Sequence, residues 1–142
     1  MNILLMQAEK MLHIPYIWGG NSPMSGLDCS GLVCELMKSC GELPPGDYSA
    51  QGLFEYFSNG RGEWNRPGLG ALVWFGKSAS EITHVGMCLD QYRMIEAGGG
   101  GKDCLTVADA IRKNAMVRIR LINSRTDQVA LIKPYFRKIG ML

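Results

Sequence analysis

One stretch of sequence predicts the helix around which the rest of the chain is organised: Asp28-Cys29-Ser30-Gly31-Leu32-Val33-Cys34-Glu35-Leu36-Met37-Lys38-Ser39-Cys40-Gly41. Asp28 is a typical N-cap residue, and apolar side chains follow at helical spacing: Leu32, Val33, Leu36 and Met37. Gly41, with Pro44 and Pro45 behind it, predicts the end of the helix. Cys29 then lies in the first helical turn.

The segments on either side of this helix also favour helices. Residues 2–13 carry an apolar stripe and are expected to form a first helix that Pro15 ends. A glycine-rich loop covers residues 18–26. Ser49 is expected to cap a third helix that runs through Phe57.

Beyond residue 70 the pattern changes from helices to strands. Three apolar segments bounded by turn residues predict strands over residues 71–75, 83–89 and 93–97. Residues 106–114 favour a short helix, alternation over residues 117–121 predicts a half-buried strand, and the segment from Asp127 is open between strand and helix. Helices first and strands second predict an α+β domain with N-terminal helices packed on an antiparallel β-sheet.

The bulk composition excludes several classes of protein. The 142 residues are 46% hydrophobic and 20% charged, which predicts one globular catalytic domain over residues 1–142. A net charge of +2 with scattered basic residues argues against nucleic-acid binding, and no apolar run approaches the ~20 residues of a membrane span. The first seven residues do not resemble a secretory signal, so synthesis in the cytoplasm without a signal peptide is expected.

The five cysteines do not fit a disulfide framework or a structural zinc site, because their number is odd and no C-x2-C pair occurs. We expect no metal and no cofactor. Cys29 differs from the others by its place at a helix start, where the helix dipole favours a thiolate. The alternative is a buried structural cysteine, as expected for Cys34 and Cys40.

Only two histidines could serve as a base. His13 ends the first predicted helix, where a charge at a helix C-terminus explains it. His84 lies in a predicted strand and shares a face with Gly86 and Cys88. A helix-start cysteine and a strand histidine in one small domain suggest a thiol–imidazole pair for nucleophilic catalysis.

Glu96 is the candidate for a third group that holds the imidazole. A hairpin centred on Asp90 would pair His84 directly with Glu96. A two-residue loop at Asp90-Gln91 would instead turn Glu96 to the opposite face, because a one-residue slip exchanges the faces of a strand. The residues alone leave both registers open.

Four stretches, in this order, resemble the NlpC-type family of papain-like cell-wall cysteine peptidases: Pro15-Tyr16-Ile17-Trp18-Gly19-Gly20, Leu27-Asp28-Cys29-Ser30-Gly31-Leu32-Val33, Ala71-Leu72-Val73-Trp74-Phe75 and Ile82-Thr83-His84-Val85-Gly86-Met87. The likeness runs from the first helix to about Cys104. It implies a papain-like fold.

By position, the resemblance implies Cys29 as nucleophile, His84 as base and Glu96 as the third catalytic residue. It thereby favours the hairpin centred on Asp90. Tyr16 would help bind the substrate carbonyl, and Asp28 and Ser30 would shape the substrate site. Glu96 departs from the family's common histidine, asparagine or glutamine, yet a carboxylate can accept the imidazole N–H. The strand before the base usually opens with glycine and aspartate in this family, and here it opens with Gly70 and Ala71. That aspartate is not a catalytic group, so its loss affects local capping.

The implied substrate is a peptidoglycan stem peptide, and the implied target is the γ-D-glutamyl–diaminopimelate bond. With no export signal expected, we expect delivery as a phage lysin or as a tail-associated component that contacts virion proteins. Two alternatives stay open at this point: an amidase or other acyl-bond thiol hydrolase, and a non-catalytic phage tail subunit of the same fold.

Overall fold

The computed structural model describes residues 2–43 and 46–136. Within these residues the chain forms four α-helices and a short 3-10 helix: Ile3–Met11 (α1), Cys29–Ser39 (α2), Ala50–Ser58 (α3), Val107–Lys113 (α4) and Ile122–Ser124 (3-10). It also forms eight strands: Asn21–Ser22 (β1), Gly26–Leu27 (β2), Gly62–Trp64 (β3), Leu72–Gly76 (β4), Ile82–Cys88 (β5), Arg93–Gly98 (β6), Met116–Leu121 (β7) and Gln128–Pro134 (β8). The proline stop expected after α2 lies outside the described residues.

Six of the strands make one antiparallel sheet in the order β3-β8-β4-β5-β6-β7. The segment left open by its sequence is therefore a strand, β8, which pairs with both β3 and β4. Three short strands were not predicted: β1 inside the glycine-rich loop, β2 at the end of that loop, and β3. Strands of two or three residues are too short to show alternation.

The expected α+β class is confirmed, and the helices pack on one face of the sheet. The apolar residues of α1, α2 and α3 share a core with alternate sheet residues: Leu72, Trp74, Val85, Met87, Ile95, Ala97, Val117, Ala130 and Ile132. The other face buries a smaller cluster: Ala71, Val73, Phe75, Cys88 and Met94. The predicted alternation of β5 is thus correct, because Val85 and Met87 point to the helices and Cys88 points away.

The first helix is shorter than predicted. It ends at Met11, Leu12 is extended, and His13 adopts a left-handed φ of 73°. The reason is a competing partner: the backbone N–H of His13 donates to Val117 O, so the chain turns to join the edge of β7. None of the described helices is long and apolar enough to cross a membrane.

The start of α2 is fixed against the loop that precedes it. Asp28 Oδ1 accepts a hydrogen bond from Gly31 N (2.7 Å), and Asp28 N donates to Gly20 O (2.9 Å). A Cβ at Gly31 would lie only 2.2 Å from Gly20 O. Since that atom is backbone, a side chain at position 31 would displace the helix start or the loop.

We predict that Gly31→Ala destabilises the fold by about 1–3 kcal/mol through overpacking. The matched control is Gly52→Ala, at the same third position of α3, whose N–H also bonds to its cap residue, Ser49. There a Cβ meets only the exposed Ser49 Oγ at 3.2 Å, so the change should cost less than about 1 kcal/mol. Urea unfolding measures both variants, and equal effects would contradict the close-contact explanation.

Candidate active site

A cleft of about 1010 Å³ opens where the start of α2 meets the sheet. All six residues singled out from the sequence line it: Tyr16, Asp28, Cys29, Ser30, His84 and Glu96. They come from four separate parts of the chain, namely the loop after α1, the start of α2, and strands β5 and β6. His13, the rejected histidine, does not line the cleft.

Cys29 is the first residue of α2 and is half-buried at the cleft, whereas the other four cysteines are buried. Burial raises the pKa of Cys34 to about 11 and that of Cys88 to about 12, so these thiols stay protonated. Cys29 lies at the positive end of the helix dipole, where backbone N–H groups have no acceptor within the helix.

His84 connects Cys29 to Glu96. Its Nε2 lies 2.7 Å from Glu96 Oε1, and this leaves Nδ1 as the ring nitrogen available to the thiol. Burial by itself lowers the pKa of His84, but the hydrogen bonds and negative charges of Cys29 and Glu96 raise it to about 9. The arrangement therefore favours the protonated, imidazolium form of His84.

Glu96 is 1% exposed and is held by charged partners on both sides. Besides His84, its Oε2 accepts a hydrogen bond from Arg118 Nε at 3.0 Å, and Arg120 Nη1 lies 3.8 Å away. Burial raises the pKa of this carboxyl, but His84 and Arg118 lower it to about 2. Glu96 is thus an anion throughout the neutral range.

The register that brings His84 and Glu96 together differs from the expected one. Met87 pairs with Ile95 and Cys88 with Met94, so the hairpin is centred on Gln91 and not on Asp90. The expected direct pairing of His84 with Glu96 is wrong, because Glu96 lies two residues nearer the turn. The two side chains still share a face, and a diagonal contact across adjacent strands is within reach of long side chains.

Strands β5 and β6 stop pairing before they reach His84, since the ladder between them contains only those two pairs. His84 pairs with Phe75, on the face of the sheet away from the helices, whereas Cys29 begins a helix on the other side. The separation of the two strands explains how a helix-borne thiol meets an imidazole that points away from the helical core.

Comparison with known proteins identifies the family of this chain. A model of the NlpC/P60 family matches residues 13–121. The chain belongs to the NlpC/P60 family.

A curated relative is a bifunctional muramidase/DL-endopeptidase, CwlT of Bacillus subtilis, at 33% identity over 101 residues, 69% of this chain and 29% of the relative. The chain thus spans less than a third of this relative. The peptidoglycan hydrolase RipB of Mycobacterium tuberculosis has a similar fold, with a TM-score of 0.66 at 20% identity over 95% of this chain and 64% of RipB. RipD of the same organism, described as a non-catalytic peptidoglycan-binding NlpC/p60 protein, gives 0.65 at 15% identity over 92% and 93%.

Tyr16, from the family's opening loop, is held beside the thiol by several elements. Its N–H donates to Ala115 O, and its carbonyl accepts from Cys104 Sγ at 3.1 Å. Burial, together with the charges of Cys29 and Asp28, raises the pKa of the phenol. The hydroxyl therefore keeps its proton and can act as a donor in the cleft.

The run of glycines after β6 allows the chain to approach this tyrosine closely. A Cβ at Gly100 would lie 2.2 Å from the Tyr16 ring and 2.8 Å from Cys104 Cβ. Residues 98–101 therefore form a wall of the cleft, and the first of these glycines, Gly98, still belongs to β6.

Asp28 and Ser30 have structural partners. Asp28 accepts hydrogen bonds from Gly31 N and from Ser30 Oγ, the latter at 3.2 Å. Burial raises the pKa of Asp28, and these two hydrogen bonds oppose the shift. Both residues fix the helix start that carries Cys29, while their direct role toward substrate stays a prediction.

Sequence reasoning missed three arginines of the site, namely Arg118, Arg120 and Arg125, which all line the cleft. The alternation of Arg118 and Arg120 in β7 was visible and predicted only a half-buried strand. Their partner, Glu96, could be identified only from the register of β6 and β7, in which it lies directly opposite Arg118. Among the described residues, no group of three or more potential metal ligands occurs.

We predict that iodoacetamide at pH 6 alkylates Cys29 ahead of the other four cysteines. Cys29 is half-buried at a helix start, whereas the others are buried, and burial keeps Cys34 and Cys88 as thiols. Peptide mapping by mass spectrometry measures the labelling. Equal labelling of all five cysteines in the folded protein would show that Cys29 is not activated.

We predict a graded loss of activity at position 96. Glu96→Gln should keep part of the rate, because the amide oxygen still accepts the imidazole N–H. Glu96→Ala should lose about 10–100-fold, and Glu96→Leu should lose most because it places an apolar group against an imidazolium. Initial rates on purified cell wall measure the series, and an alanine variant with unchanged rate would leave Cys29 and His84 as a dyad.

Proposed function

We propose that this chain is a thiol endopeptidase that hydrolyses peptide bonds in peptidoglycan stem peptides. The observation that carries the proposal is the row of Cys29, His84 and Glu96 in one cleft, with a 2.7 Å contact between the last two. A nucleophile, a base and a group that orients the base are the parts that acyl transfer by a thiol needs. Membership of the NlpC/P60 family, with relatives named as a DL-endopeptidase and a peptidoglycan hydrolase, supports peptidoglycan as the substrate.

In the first half of the reaction, the Cys29 thiolate attacks the carbonyl carbon of the scissile amide. The tetrahedral intermediate collapses, the carbon–nitrogen bond breaks, and the His84 imidazolium gives its proton to the leaving amine. In the second half, His84 takes a proton from water as the oxygen attacks the thioester. The carbon–sulfur bond breaks, the carboxylic acid product leaves and gives its proton to solvent, and the thiolate and the imidazolium are restored.

The negative charge on the carbonyl oxygen needs donors that are already in place. The first turn of α2 leaves the backbone N–H groups of Cys29 and Ser30 without acceptors inside the helix. The Tyr16 hydroxyl, which stays protonated, adds a side-chain donor on the same wall of the cleft. Fixed donors of this kind stabilise the oxyanion without reorganising during the reaction.

We propose the γ-D-glutamyl–diaminopimelate bond as the target. Support comes from the relative named a DL-endopeptidase and from a 30-residue match, 50% identical, to a γ-DL-glutamyl hydrolase of Bacillus subtilis. The proposed place of action is the cell wall. Synthesis in the cytoplasm and delivery as a phage lysin or tail-associated component stay predictions, and proteomic analysis of purified virions would test the phage route.

We predict that Cys29→Ala abolishes hydrolysis of purified diaminopimelate-type peptidoglycan while the protein stays folded. Cys40→Ala is the control, since Cys40 caps the far end of α2 and is buried away from the cleft. Mass spectrometry of the soluble products should show peptides that begin with diaminopimelate, because the D-glutamyl side of the cleaved bond stays on the glycan.

Other products would decide against the proposal in different ways. Release of intact stem peptides from the glycan would indicate an amidase. Binding to the wall without any cleavage would indicate a non-catalytic protein. Turnover by Cys29→Ala equal to that of the unaltered chain would refute the thiol mechanism.

A further inference from the structure

Arg118 lies on the side of Glu96 that faces away from His84. It is the direct partner of Glu96 in the ladder between β6 and β7, and its Nε donates to Oε2 at 3.0 Å. His84 Nε2 meets the other oxygen, Oε1, at 2.7 Å. The Glu96 carboxylate thus contacts the His84 imidazole through one oxygen and the Arg118 guanidinium through the other.

We propose that Arg118 is a positioning residue that keeps Glu96 ionised and turned toward His84. This inference rests on the proposed function, because it assigns Arg118 a part in the same Cys29–His84–Glu96 machinery. Arg118 would act through Glu96 and need not touch the substrate.

The need for such a residue follows from the burial of the carboxylate. Glu96 is 1% exposed, and removing an anion from water favours its protonated form. A protonated Glu96 would still reach the imidazole but would no longer supply the negative charge that stabilises an imidazolium. A cation bonded to the second oxygen offsets this cost while leaving Oε1 free for His84.

The surroundings of Arg118 hold its guanidinium in this place. A Cβ at Gly98 would lie 3.3 Å from Arg118 Nη2, and a Cβ at Gly99 would lie 3.2 Å from Nη1. The guanidinium therefore packs against two residues without side chains. A larger residue at either position would crowd the outer edge of the group that bonds to Glu96.

The neighbouring cations are less suited to this role. Arg120 shares the face of Arg118, but its Nη1 is 3.8 Å from Oε2 and its side chain is 38% exposed. Arg125 is bonded to Asp127 through two contacts of 2.8 and 2.9 Å. Among the described residues, the cations that bear on Glu96 are His84, Arg118, Arg120 and Arg125. Cys29 and Asp127 are the acidic groups that bear on His84 and Arg125.

The test measures the rate of Cys29 alkylation by iodoacetamide between pH 4 and pH 10, without any cell-wall substrate. In Arg118→Met, the acid limb of the profile should move up by about one pH unit, because Glu96 loses the cation that keeps it ionised and the thiolate–imidazolium pair weakens. Arg118→Lys keeps a charge near Oε2 and should move the limb by less. It also keeps the test open if Arg118→Met fails to fold.

Cell-wall hydrolysis gives the second readout. In Arg118→Met, kcat should fall by about tenfold with little change in KM, as expected for an outer partner of a catalytic histidine. The matched comparison is Arg120→Met, on the same strand and face, which should lower kcat less and move the limb less than Arg118→Met, because Arg120 is farther from Oε2 and more exposed. Thermal unfolding of each variant shows whether the fold is retained.

The outcomes separate this inference from the proposed function. If wall hydrolysis is absent in the unaltered chain but the alkylation limb moves in Arg118→Met, the proposed function fails and the role of Arg118 stands. An unchanged limb in folded Arg118→Met would overturn the role of Arg118. An equal shift in Arg120→Met would also overturn it, because the effect would then belong to the general positive field.

Discussion

The contact between His84 and the buried carboxylate of Glu96 is the interaction on which the arrangement of the site depends. Glu96 is almost fully removed from water, and a charged group in such a place is tolerated only with partners for both oxygens. Strands β5 and β7 supply those partners from the two sides of β6. Three adjacent strands must therefore keep their relative register for the imidazole to be held.

This arrangement is possible because strands β5 and β6 are not paired where the site forms. The β5–β6 ladder is limited to two pairs near the turn, and beyond them the strands part beside the start of α2. This lets a residue from the helical side, Cys29, meet side chains that project from the opposite face. The small second cluster around Phe75 supports that face, and the Phe75 ring lies 5.7 Å from the imidazole of His84.

The sequence predicted well what depends on local chemistry. Asp28 as a cap, Cys29 at the first turn and the alternation of β5 all follow from short-range rules, and the structure agrees with each. Long-range placement was less accessible. The hairpin centre moved from Asp90 to Gln91, because Asp90 Oδ1 accepts hydrogen bonds from the N–H groups of both Tyr92 and Arg93 and so shapes the turn.

The error in the position of the hairpin centre did not separate Glu96 from His84, and the reason is geometric. A shift of the hairpin centre by one residue moves the cross-strand partner by two, and two residues restore the same face. Glu96 therefore stayed with His84 although the pairing was wrong. The pairing of Glu96 with Arg118 on the next strand could not be predicted in this way, because no sequence rule connects residues 96 and 118 before the order of the strands is known.

Glu96, which departs from the family's common residues, and Arg118, which sequence reasoning missed, depend on each other. A neutral third residue, such as the asparagine or glutamine implied by the resemblance, can accept an imidazole N–H without a counter-charge. Glutamate in this place brings a negative charge into a nearly dry environment, so it needs a cation that does not compete for the oxygen facing His84. Arg118, directly across the ladder and bonded to the other oxygen, meets that condition. Glu96 and Arg118 are therefore best understood as one unit, in which the arginine makes the unusual carboxylate compatible with the fold.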